Sequence, residues 1–214
     1  MNVVIVGTGG HGKVVLDILL NTPTIKVVGF IDDDQSSQGK IINGVPVLGN
    51  TSSLSQLIQE HSIEGAIVAI GNRKTRSALF KKIKGLELKL TNAIHPSAVI
   101  TKNVKIGEGV VITAGAVINT DSKIGDDVII NTGATVDHDN IIGDHVNIQP
   151  GVNLGGTVSI KAYTEVGIGA TVIQNISVGE GATIAAGAAI ITDVPDNVTI
   201  VGVPGRIIRV DKAE

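Results

Sequence analysis

Every sixth residue from Ile100 to Ile190 is a branched aliphatic, sixteen positions without a break. The series runs Ile106, Ile112, Ile118, Ile124 and Ile130, through Val136, Ile142, Ile148 and Leu154, to Val178, Ile184 and Ile190. Two residues before each stands a small or β-branched residue such as Ala98, Val110, Ser122 or Thr164, with Asn140 and Ile176 as the exceptions. A helix repeats near 3.6 residues and a strand at 2, so neither accounts for a period of six. Fixed hexads mark a parallel β-helix, in which each short strand sends one aliphatic inward and then turns a corner. Glycine adds a longer rhythm: Gly115, Gly133, Gly151, Gly169 and Gly187 recur every eighteen residues, as do Gly107, Gly125, Gly143 and Gly179 around Lys161. Eighteen is three hexads, so one coil is a triangle, with glycine at corners that need positive φ. About five coils at roughly 4.8 Å per strand stack about 24 Å high. Two Phe, one Tyr and no Trp suit so narrow a prism.

Composition bounds the rest. Hydrophobic residues at 43% can fill a core, and charged residues at 17% argue against disorder. A net charge of −3 without a long basic run argues against a nucleic-acid partner. The opening MNVVIVGTGG reads as an inner strand and not as a signal peptide. No apolar stretch approaches the ~20 residues of a membrane span. The expectation is a soluble cytoplasmic protein. The absence of cysteine excludes a disulfide, a thiolate nucleophile and a cysteine-bound metal.

Ahead of the hexads the pattern alternates strand and helix. Strands over 3–6, 27–31 and 66–70 are followed by helices over 13–20, 52–61 and 74–83, with a short segment at 44–49. This βαβ alternation predicts a small parallel sheet with helices on its faces. Ligands bind such sheets beyond the carboxyl ends of the strands. Gly7–Lys13, Asp32–Asp33 and Gly71–Asn72 each follow a strand and would meet at that edge. Residues 92–96 form the connector, because Pro96 favours an extended approach to the first coil.

Gly7, Gly9 and Gly12 satisfy G-x-G-x-x-G between strand and helix, a cradle for phosphates. The same loop resembles a P-loop, but Val14 stands where Mg²⁺ needs Ser or Thr. Asp32, after the next strand, could accept from ribose hydroxyls or the base. An unliganded tight turn is the plainer alternative. Of five histidines, His61 and His95 read as surface residues, and His11 lies inside the glycine loop. His138 is set apart by Asp137 and Asp139 on either side, since a neighbouring carboxylate fixes the tautomer and raises the basicity of an imidazole. Which of the two acids does so stays open, and a solvated polar corner is the bland reading. Only His145 accompanies it in the hexad region, so no metal site is expected. Arg206 and Arg209, after the Pro204-Gly205 break, could hold phosphates or form a solvated tail.

The hexads, Asp137-His138-Asp139, the tail Gly202-Val-Pro-Gly-Arg206 and the opening Gly7–Val15 together resemble one family. It is that of the sugar O-/N-acyltransferases of the left-handed β-helix superfamily, in the branch of sialic acid O-acetyltransferases and nucleotide-4-amino-sugar N-acetyltransferases. The resemblance covers essentially the whole chain. It implies a small α/β Rossmann-like nucleotide-sugar domain over 1–92. An all-β left-handed parallel β-helix over 93–214 would follow, coiled against the usual right-handed crossover. It also implies a homotrimer with acetyl-CoA in grooves between adjacent prisms, and no metal. By position, His138 matches the general base and Asp139 the acid that raises its basicity. Asn147, Ile168, Ala186 and Gly187 fall where the family contacts acetyl-CoA, with Arg206 beyond them; the family often has histidine at position 147. Gly9, Gly10, His11, Asp32, Asp33, Gly71 and Asn72 match the nucleotide-sugar pocket. Gly205 stands where the family usually has alanine. The activity implied is transfer of an acetyl group from acetyl-CoA to the 4-amino group of a UDP- or GDP-linked amino-deoxy sugar for surface glycan or glycoprotein synthesis. The alternative is O-acetylation of sialic acid or a polysaccharide.

Overall fold

The computed structural model describes residues 1–210 and divides into two compact units, Met1–Pro96 and one beginning at Ser97. In the first, β1 (Asn2–Val6) leads into α1 (Gly10–Leu20) and β2 (Lys26–Ile31). A hairpin follows, β3 (Ile41–Ile42) and β4 (Val45–Gly49), then α2 (Leu54–His61), β5 (Gly65–Val68), α3 (Arg73–Lys84) and β6 (Lys89–Leu90). The sheet order is β3-β4-β2-β1-β5-β6, parallel except for the β3–β4 hairpin. Val4 and Val6 face a core with Leu54 and Leu57 of α2 and Phe80 and Ile83 of α3. Val3 and Ile5, pointing the other way, are also fully buried. A parallel strand covered on both faces reads as an unbroken apolar run for this reason. The strand Ala93–Ile94 packs against α1 but is not part of this six-stranded sheet.

The second unit is a three-sided prism. Each side is a ladder of two-residue strands paired in parallel at eighteen-residue intervals, as in Val117↔Thr135 and Ile118↔Val136. Inward residues stack coil upon coil: Ile112, Ile130, Ile148, Val166 and Ile184 are all fully buried. The chain turns each corner at a residue with positive φ. One corner row is all glycine, Gly115 to Gly187, with φ between 64° and 70°. The other two rows hold Asp121, Asp139, Thr157 and Asn175, and Asp127, His145 and Tyr163 between Gly109 and Gly181, all near 60°. Asp and Asn tolerate this conformation better than most side chains.

The second glycine series needs a correction. Gly107, Gly125, Gly143 and Gly179 do not have positive φ. They are required by stacking distance: a Cβ on Gly143 would lie 2.8 Å from Ala162 N, and one on Gly125 2.9 Å from Asp144 N. The hexad rhythm stops at Ile190 because the last coil is two residues short. Ile184 pairs with Ile200 and Val178 bridges to Val194, sixteen residues on in place of eighteen. The strand Val198–Val201 then pairs antiparallel with Arg206–Val210. A Cβ on Gly205 would lie 2.8 Å from Ile190 Cδ1 and from Ile200 Cγ2, which suits glycine where alanine was the expected residue.

Truncating one inward residue opens a cavity in a column that cannot collapse, since both neighbouring coils are held by ladders. Ile130→Ala should therefore cost about 2–5 kcal/mol, read as a lowered denaturation midpoint at unchanged m-value.

Candidate functional site

His138 lies on the corner between the strands Thr135–Val136 and Ile141–Ile142. Its Nδ1 is 2.8 Å from Asp139 Oδ2. An ionised carboxylate can only accept, so Nδ1 carries the proton and Nε2 keeps its lone pair. The hydrogen bond that His138 donates to Asp139 comes first, and the charge of Asp137 second, in raising the His138 pKa above its ordinary 6.5. The two acids have different tasks. Asp137 Oδ1 accepts from the His138 backbone N–H at 2.8 Å and from Asn119 Nδ2 at 2.9 Å, shaping the turn. The Asn119 bond is the main cause holding the Asp137 carboxyl below its usual range. Asp139 meets the ring. The imidazole is about half exposed and so open to a reactant.

One coil on, the ring lies over Gly156. A Cβ there would sit 2.6 Å from His138 Nε2 and Cε1, so only glycine admits this imidazole. Gly156 was not singled out from sequence, although it stands eighteen residues after His138. Its backbone N–H has no acceptor among the described residues.

The other histidine is built differently. His145 Nδ1 is 2.8 Å from the buried Asp127 Oδ2, and its ring stacks on Tyr163 at 4.8 Å. All three belong to one corner row, with Asp127 and His145 buried and Tyr163 half-buried beyond them. Ile168 and Ala186 are exposed at a third corner, where Gly187 N–H donates to Ile168 O at 2.8 Å. Asn147 is buried in the strand Asn147–Ile148. Within one chain, then, Ile168, Ala186 and Gly187 occupy a different corner from His138, and Asn147 lies on a side of the prism. Arg206 is exposed, its Nη1 donating to Gly205 O at 3.0 Å.

In the first unit β1, β2 and β5 run parallel, with Val6 paired to Ile31 and Val68, so the loops after them share one edge. α1 starts inside the glycine motif, at Gly10 and not at Lys13. The motif's glycines divide by role. Gly7 has φ 112° and Gly12 is pressed against Gly7 O, whereas Gly9, Gly10 and Gly71 have open space where a Cβ would be. Asp32 Oδ2 accepts from Thr8 N at 2.7 Å and from Thr8 Oγ1, and Oδ1 accepts from Asp34 N at 2.9 Å. Partial burial pushes its pKa up, but the Thr8 and Asp34 bonds prevail and hold it below the usual range. Asp33 accepts from Thr51 N at 2.8 Å, and Asn72 caps α3 by accepting from Thr75 N. Both aspartates thus brace the loops that form the edge.

His11 sits in the first turn of α1, largely buried, with Nε2 unpartnered. Burial first, and the Arg76 charge second, lower its pKa to about 4. Arg76 is fully buried and donates to Ile70 O at 3.2 Å. Beside this edge an open cleft of about 420 Å³ is lined by Thr8, Lys13, Asp34, Ser36, Lys40 and Asn43. Lys13, the last residue of the glycine loop, and Lys40, which lies outside every motif of the sequence, place two cations in it. No group of three or more His, Asp or Glu among the described residues could hold a metal ion. No helix among them is long and apolar enough to cross a membrane.

Residues 2–83 match the PglD N-terminal domain. The chain is 39% identical to the GDP-perosamine N-acetyl transferase of Caulobacter crescentus, solved with CoA and GDP-perosamine, over 97% of this chain and 96% of that one (TM-score 0.90). It is 36% identical to the acetyltransferase domain of PglB from Neisseria gonorrhoeae, solved with acetyl coenzyme A, over 97% and 98% of the two chains (TM-score 0.87). Against the UDP-N-acetylbacillosamine N-acetyltransferase of Bacillus subtilis (strain 168) it is 39% identical over 116 residues, and that match spans about half the length of the curated relative, 51%. The shared architecture is a Rossmann-like domain followed by a left-handed parallel β-helix.

Two histidines of opposite environment should titrate far apart. In an NMR titration His11 should stay neutral until the pH nears about 4, while His138 should protonate above 6.5. Coincident titration of both near 6.5 would contradict these environments.

Proposed function

The chain belongs to the hexapeptide-repeat N-acetyltransferases of nucleotide-linked amino sugars, and from that membership we propose that it moves the acetyl group of acetyl-CoA to the 4-amino group of a UDP- or GDP-linked amino-deoxy sugar. The observation that carries the reading is the His138 imidazole, protonated at Nδ1 by its bond to Asp139 and presenting Nε2 beside Gly156.

Each step has a group to perform it. Nε2 of His138 takes a proton from the sugar amine as the nitrogen attacks the thioester carbonyl. The oxyanion that forms accepts from the Gly156 backbone N–H. The tetrahedral centre collapses with a new C–N bond, the C–S bond breaks, and the imidazolium returns its proton to the CoA sulfur. With no cysteine in the chain, direct transfer needs no acyl-enzyme. At the edge of the first unit, Gly9 and Gly10 let a diphosphate approach the first turn of α1, with Lys13 and Lys40 in the adjoining cleft. Asp32 and Asp33 hold that edge through Thr8 and Thr51. Such a reaction belongs in the cytoplasm, where acetyl-CoA and nucleotide sugars are made.

The placement of the groups supports a homotrimer as the working assembly. His138 and the Ile168–Ala186 contacts stand on different corners, so acetyl-CoA touching both needs a neighbouring prism. The exposed aliphatics Ile141, Ile168, Ile173 and Ile191 would be covered by one. Sedimentation should give a trimer at micromolar concentration, and an active monomer would refute the shared site.

Isotopically labelled acetyl-CoA should mark nucleotide-linked 4-amino sugars and leave free sialic acid unmarked; the reverse pattern would favour the O-acetylation alternative. His138→Ala should lower kcat by about 10²–10⁴. Because the base works deprotonated, kcat/KM should fall as the pH drops through a pKa above 6.5. Asp139→Asn removes the first cause of that elevation, so the acid limb should move to lower pH with a milder loss of kcat. A limb left in place would sever Asp139 from His138.

A further inference from the structure

Asn140 breaks the hexad pattern at a fully buried inward position, where the same corner row has Val158 and Ile176 in later coils. Its Nδ2 is 2.7 Å from Asp137 O, 2.9 Å from Gly155 O and 3.2 Å from His138 O, and its Oδ1 is buried without a partner. Three carbonyls around one end of the amide identify that end as the amino group. A buried acceptor left unpaired costs stability, and an aliphatic residue there would avoid the cost.

The three carbonyls do not depend on Asn140 equally. Asp137 O also accepts from Ser122 Oγ at 2.9 Å, and His138 O from Thr157 N at 2.9 Å. Gly155 O has no other donor among the described residues. Gly155 O and Gly156 N–H belong to one peptide plane, and in a trans peptide they point in opposite directions. A carbonyl drawn into the prism by Asn140 therefore turns the Gly156 N–H outward, on the face where the His138 ring lies. A carbonyl that accepts a hydrogen bond also makes its own peptide N–H a better donor.

We infer that Asn140 is a positioning residue for acyl transfer: through Gly155 O it aims the Gly156 N–H at the oxyanion formed beside His138. This rests on the reading of His138 as the base. The device has parallels within the chain, since Ser122 Oγ reaches Asp137 O and Thr164 Oγ1 reaches Gly179 O at 2.7 Å, each fifteen residues ahead, as Gly155 is from Asn140. A hydroxyl at an inward position can thus make the same reach.

The test compares Asn140→Val, Asn140→Thr and His138→Ala in the full-length protein with acetyl-CoA and the nucleotide amino sugar. Valine suits the row, so Asn140→Val should melt at or above the parent temperature. Its kcat should fall about 10- to 100-fold, less than or near the loss of a whole oxyanion donor. KM for both substrates should stay within about twofold and the acid limb should not move, because the His138–Asp139 pair is untouched. Asn140→Thr should recover most of the lost kcat. Parent-level kcat in Asn140→Val, or equal losses in the valine and threonine variants, would overturn the inference. An inactive His138→Ala beside a fully active Asn140→Val would remove the positioning role alone, whereas an active His138→Ala would remove the base and this inference with it.

Discussion

Up to the shortened last coil, coil-to-coil hydrogen bonding fixes the residues of the prism eighteen places apart, and the other features of the second unit inherit that spacing. The two-residue strands are too short to stand alone, so each is held by its neighbours in adjacent coils. Inward aliphatics fill the axis because the ladder puts them there. The corners must reverse direction in few residues, and positive φ recurs at the same phase in all three rows. Where coils approach most closely, glycine is needed for clearance and not for its backbone freedom, as at Gly143 against Ala162.

The same ladder makes the reactive corner. His138 projects from a turn whose backbone is fixed from both sides, Asp139 N–H donating to Thr120 O and Thr157 N–H to His138 O. Neighbouring coils supply what a single turn could not: Asn119 steadies Asp137 from one coil earlier, and Gly156 makes room for the ring one coil later. A base held in this way loses little orientational freedom when a reactant arrives. His145 shows the contrast. It has the same kind of carboxylate partner at the same distance, yet it is buried against Tyr163 and offers no face to a reactant.

In the first unit rigidity comes from polar side chains at the strand ends. Asp32 closes onto Thr8 and Asp33 onto Thr51, so the loops after β1, β2 and β4 are tied together while Gly9 and Gly10 face open space. The acids read from sequence as direct ligands are thus already engaged with the protein. Cationic character in the adjoining cleft comes from Lys13, at the end of the glycine loop, and from Lys40, which no motif marked.

Period and composition determined the prism, its triangular coil and the βαβ order ahead of it, because a backbone repeat imposes a repeat on its side chains. The adjacent triplet Asp137-His138-Asp139 was also legible, since its three members are contiguous in the sequence and the acids' charges lie close to the ring. Other features were decided only by the tertiary structure. Which acid meets the ring depended on the positive φ of Asp139. The importance of Gly156 and Asn140 depended on contacts across eighteen and fifteen residues. The two-residue shortening of the last coil and the partners of Asp32 arose in the same way. A linear pattern records which residue types recur, but a hydrogen bond or steric contact between coils exists only once the coils are stacked. The hexads therefore gave the scaffold, and stacking selected the residues that aim its chemistry.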